Sequence, residues 1–96
     1  MATISLKAEE PSKAVPLLRE ALRLEAQVVR QALTRTRANV ERLRDLLGVD
    51  LEAVRRGEVE HTEDREGLIL ELEGEMEFLA LLEENQRQLE TIEICS

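Results

Sequence analysis

The sequence predicts an all-α chain, an antiparallel long helical hairpin of coiled-coil character with a short helix in its elbow. Three observations carry this. Ala, Leu, Glu and Arg dominate, charged residues make up 35% and aromatics 1%, which is the composition of long helices. An apolar stripe of helical period runs through the first half. Only four Gly and two Pro are present, so turns have few places to form. The 96 residues read as one helical-hairpin domain with an arm (1–15), a first helix (16–47), an elbow (48–61) holding a short helix (51–56), a second helix (62–90) and a tail (91–96).

The two ends alternate in polarity. Ile4 and Leu6 have polar neighbours, and Ile92 and Ile94 flank Glu93 ahead of Cys95. Alternation of this kind suits short β segments. The hairpin brings both chain ends to one end of the molecule, where these segments either pair as a ribbon or fray. An isolated two-stranded ribbon is marginally stable.

Pro16 suits the first turn of the first helix, where a missing N–H costs least. From Leu22 through Ala26, Val29, Leu33, Thr36, Val40 and Leu43 to Leu47 the steps are 4, 3, 4, 3, 4, 3 and 4. That is an a/d heptad seam, in which Thr36 is the one polar member. Leu17, Leu18, Leu24 and Val28 lie beside or off the stripe, so the apolar face is wider than one partner helix needs.

Gly48 is placed to end the helix in a left-handed cap. Asp50 then caps Leu51–Arg56, which Gly57 ends. Thr62 is expected to cap the second helix, with Glu63, Asp64 and Glu66 in its first turns, where carboxylates complement the helix dipole. Leu68, Leu72, Met76, Leu79, Leu82 and Leu89 then form the face expected to meet Leu22, Val29, Leu33, Val40, Leu43 and Leu47. Ile69 falls within that same broad face.

Leu70 and Leu81 point away from this seam and Phe78 sits on its flank. Gly67 and Gly74 are seven apart on one side, each costing roughly 1 kcal/mol against Ala inside a helix. They are either tolerated or mark close approach of another helix. Together with Leu18, Leu24 and Val28 these residues form a candidate oligomer interface. A two-helix hairpin buries little surface for its size, and small scaffolds of this kind gain stability by associating. A four-helix bundle made by two copies is the expected assembly.

Charge is unevenly distributed. Residues 1–47 hold nine Lys/Arg and six Asp/Glu, a net of +3; residues 48–96 hold four and fifteen, a net of −11. A basic helix folded on an acidic one satisfies both. The net charge of −8 disfavours nucleic acid, whose binding needs a basic face to displace counterions. No apolar run approaches the ~20 residues of a membrane span. With no secretory signal pattern, a cytoplasmic protein is expected.

The residues offer little chemistry. Glu71, Glu73, Glu75, Glu77, Glu83 and Glu84 include pairs at metal-ligand spacing. The companion histidine of helical carboxylate sites is missing, because the one histidine, His61, precedes the helix. A solvated acidic face, partly paired with arginines of the first helix, accounts for them. The single Cys95 excludes an internal disulfide framework. No catalytic residue, metal or cofactor is expected.

Two short stretches resemble DNA-binding motifs. Leu46–Arg56 is similar to the turn of a helix-turn-helix, but its second helix ends at Gly57 and runs into Glu58 and Glu60. Ala2–Lys7 is similar to the opening strand of ribbon-helix-helix domains, which need two shorter helices where this chain has one long one. A wider likeness covers residues 42–82. The run Leu47-Gly48-Val49-Asp50-Leu51-Glu52, then Gly57-Glu58 and Glu63-Asp64, resembles small toxin-associated, antitoxin-like long-helix proteins of bacteria and archaea. Those proteins tend to carry elbow aromatics and a Trp in the second helix, which this chain lacks. The resemblance implies a protein that inhibits a toxin by binding it. The residues themselves point to a homo-oligomeric, non-catalytic interaction or assembly module, with a second copy or another protein as partner.

Overall fold

The computed structural model describes residues 4–94. It contains three helices in chain order: α1 (Pro11–Leu47), α2 (Leu51–Arg55) and α3 (Glu66–Thr91). The two long helices pack against each other as a hairpin. The molecule is a rod of 59 × 24 × 16 Å with a radius of gyration of 19.1 Å. A compact chain of this length would have a radius of about 12.5 Å, so the hairpin is a single layer of helices.

α1 begins earlier than Pro16. Pro11 occupies its first turn and Pro16 lies inside the helix. Both prolines meet the φ demand of a helix. Pro11 falls where an N–H is unneeded, while Pro16 costs one bond to the exposed Ser12. The Ala, Val and Leu around it are good enough helix formers to carry the helix through. At the other end, Gly48 adopts φ 65° and donates its N–H to the Arg44 carbonyl at 2.8 Å. Only a residue without Cβ takes this left-handed cap without strain.

Asp50 caps α2, its Oδ1 accepting from the Glu52 N–H at 3.4 Å. Arg56 terminates α2 and Gly57 turns the chain at φ 70°. α3 starts at Glu66, later than Thr62 implied. Thr62 builds the preceding turn instead. Its carbonyl accepts from the Arg65 and Glu66 N–H groups at 3.0 and 2.9 Å, and its hydroxyl donates to Asp64 at 2.8 Å. Arg65 then reaches back 18 residues, donating Nη2 to the Leu47 carbonyl at 2.5 Å. A cation on the last carbonyls of α1 satisfies an orphan acceptor and complements that helix's dipole. It also fixes where α3 starts relative to where α1 stops.

Among the described residues the terminal β segments are not seen: residues 4–8 are without regular structure, Thr91 is helical, and residues 92–94 are coil. Ile4 and Leu6 are exposed at 79% and 68%, so alternation there has no second strand or core to answer it. Cys95 lies outside the described residues. The Ile94 carbonyl accepts a hydrogen bond from Arg19 at 3.3 Å.

The core is a line of two clusters. Val40, Leu43, Leu47, Val54, Ile69 and Leu72 form one at the elbow, flanked by Leu68, Met76 and Leu79. Val29, Ala32, Leu33 and Leu82 form the other, flanked by Leu79 and Leu89. Thr36, 4% exposed, is the one buried polar residue among those described, and Leu79 bridges both clusters.

Candidate protein interface

Leu33, Leu43, Ile69 and Leu72 are at most 1% exposed. Val29, Val40, Leu47 and Leu82 are also buried, while Leu22, Leu68, Met76, Leu79 and Leu89 are half-buried. Val54 was not placed in the core by periodicity. Five helical residues are too few to show a period, though Leu51 and Val54 at i, i+3 were its trace. Ile69 is buried rather than peripheral because α2 and the elbow lie over that side of α3. The neighbouring open cleft is lined by Val54, Arg55, Gly57, Glu73, Met76 and Glu77.

That covering defines two sides of the hairpin. Arg23, Arg30, Arg37 and Arg44 recur every seven residues along α1 and border the covered side. On it, Arg37 approaches Glu83 at 3.9 Å, and His61 stands 3.6 Å from Glu73. The opposite side has no elbow over it. It is crossed by a 3.5 Å hydrogen bond from the Asn39 amide to Glu75 and by Arg42 and Glu71 at 3.8 Å. Half-exposed ion pairs like these are worth about 0–1 kcal/mol.

The eight candidate interface residues are all exposed, and helical spacing distributes them. Val28, Phe78, Gly67 and Gly74 belong to the uncovered side, joined there by Leu46 at 62% exposure. Leu24 and Leu70 lie on the outer edges, opposite the seam, at 48% and 55%, while Leu81, seven residues past Gly74 and 55% exposed, joins the uncovered side. Leu18 sits on an overhang. At ~1.5 Å per residue the 37 residues of α1 outrun the 26 of α3 by roughly 16 Å, and Leu18 lies past the end of α3. A Cβ built on Gly67 or Gly74 would meet nothing within 4 Å. Neither glycine is needed for packing inside this chain.

Among the described residues no three His, Cys, Asp or Glu side chains are grouped to hold a metal ion. The one resolved titration perturbation is local. A hydrogen bond from Arg23 at 2.9 Å holds the Glu20 carboxyl below its ordinary value, and Glu20 in turn raises Arg23. Both stand in water, an i, i+3 pair on a helix surface. No described helix is long and apolar enough to cross a membrane. No family model, curated protein or solved structure matches the chain significantly.

Proposed function

We propose that this chain is a non-catalytic assembly module that works as a homo-oligomeric helical bundle. The observation that carries the reading is surface area. The hairpin exposes 7562 Å², where a compact monomer of 11.0 kDa would expose about 5,600 Å². The difference, roughly 1,900 Å², exceeds the ~800 Å² per partner of a standard protein interface. On the uncovered side and outer edges Leu24, Val28, Leu46, Leu70, Phe78 and Leu81 are 45–62% exposed. A hairpin one layer thick gains a second layer by pairing, and its exposed apolar side chains then acquire the neighbours that core residues have.

Light scattering over a dilution series from high micromolar to nanomolar tests this. A stable dimer or tetramer supports it. A monomer throughout refutes it and turns the same surface toward a different protein, the role that the resemblance to antitoxin-like chains implies.

A further inference from the structure

The inference drawn here rests on the self-association just proposed and adds its geometry. We infer that two hairpins stack through their uncovered sides about a two-fold axis parallel to the helices. Each α1 then lies on the partner's α3, and both elbows stand at the same end.

Charge selects this arrangement. α1 carries eight Lys/Arg against four Asp/Glu, and α3 one Arg against eight Glu. Two hairpins stacked face to face have two symmetric choices. An axis across the helices lays α3 on α3 and opposes two strongly acidic surfaces. An axis along the helices lays the basic helix of each chain on the acidic helix of the other. Opposite-sign surfaces set register and suppress the alternative.

Register follows from the same symmetry. Rotation about the long axis leaves every residue at its own height, so the partner's α1 meets α3 in the register used within the chain. On the uncovered side that register joins Asn39 with Glu75 and Arg42 with Glu71; paired residue numbers sum to 113 or 114. The partner's Leu46 therefore stands at the height of Gly67, and the partner's Asn39 at that of Gly74. The two glycines of α3, Gly67 in its first turn and Gly74 two turns on, face open space where a Cβ would stand, and α1 of a second copy comes closest there. Leu46, 62% exposed in the single hairpin, gains a seat.

Spin labels on Glu58→Cys in a Cys95→Ser background report the geometry, because Glu58 lies in the exposed elbow. A label-to-label distance well below the 59 Å length of the rod is expected. A distance approaching the 59 Å length would mean a dimer with elbows at opposite ends, and would overturn this geometry while sparing self-association. No intermolecular coupling at any concentration would overturn both. A second variant probes the seat itself. Gly67→Leu has free space in the monomer, so the hairpin still folds, and it is expected to weaken dimerisation by about tenfold through overpacking. Glu83→Gln, on the covered side beside Arg37, should leave association unchanged. Dimerisation indifferent to Gly67→Leu would rule the arrangement out.

Discussion

Leu33→Ala is the most direct probe of the seam. Leu33 is 1% exposed and packs with Val29, Ala32 and Leu82. The substitution removes three carbons, worth roughly 2.4 kcal/mol at ~0.8 kcal/mol per buried methylene. A residual cavity adds to this in a rigid core, where Leu→Ala costs about 2.7–5 kcal/mol. In a single layer of helices the flanking side chains close in from two open sides, so the loss belongs near the bottom of that range, about 3 kcal/mol. A chain this size has a total stability of roughly 5–15 kcal/mol, so the fraction lost is large. Urea unfolding followed by helical circular dichroism at one fixed protein concentration measures it, with an unchanged m-value as the condition for reading it as stability. Leu24→Ala, at a site 48% exposed, is the comparison. If Leu33→Ala cost under about 1 kcal/mol while Leu24→Ala cost more, the stripe from Leu22 to Leu47 would not be the seam, and the hairpin register built on it would fail.

Other consequences are open to the same instruments. Arg65→Ala exposes the Leu47 carbonyl now bonded at 2.5 Å and should cost about 1–2 kcal/mol, with faster amide exchange in the last turn of α1 as the specific sign. Gly48→Ala places a side chain at φ 65° and is expected to destabilise by about 1–2 kcal/mol, read as a lowered melting temperature. A double-mutant cycle on Arg37 and Glu83, 3.9 Å apart and half exposed, should give a coupling energy under about 1 kcal/mol; a larger value would mean the pair is shielded by a neighbour. Thr36→Val replaces the one buried polar residue of the seam; no buried side-chain polar atom among the described residues lacks a partner, so no unsatisfied hydroxyl is relieved and the melting temperature should shift by no more than about 4–8 °C, the equivalent of about 1 kcal/mol.

The seam was legible because burial follows a period that sequence displays. Eight residues from Leu22 to Leu47 repeat at heptad steps, and a helix has one way to present them together. Gly48, Asp50 and Gly57 were legible for another reason: each answers a backbone demand that its own chemistry declares. Helix starts were harder. Pro11 and Pro16 both satisfy a first turn, and sequence does not say which N–H is spent. Thr62 has a cap's side chain, yet here its carbonyl does the organising. Val54 and Arg65 were hidden because their partners are set by how the elbow folds back, a matter of three-dimensional approach rather than spacing. The terminal alternation misled because period two has meaning only beside another strand. On the surface, the surplus of apolar residues could be read at once. The side each occupies could not, because it depends on where α2 comes to rest.

The core's division at Thr36 gives the rod two ends of unlike strength. The elbow cluster is roofed by Val54 and tied by Arg65, whereas the far cluster, without such a roof, is bordered by the Arg37–Glu83 approach and one bond from Arg19 to the Ile94 carbonyl. Such a molecule behaves as a pair of tongs, hinged at Gly48–Thr62 and sprung at the tips. Opening spreads from the chain ends inward and pauses at Thr36. Amide protection in hydrogen exchange should accordingly climb along α1 toward Leu43 and fall along α3 from Leu72 to Thr91.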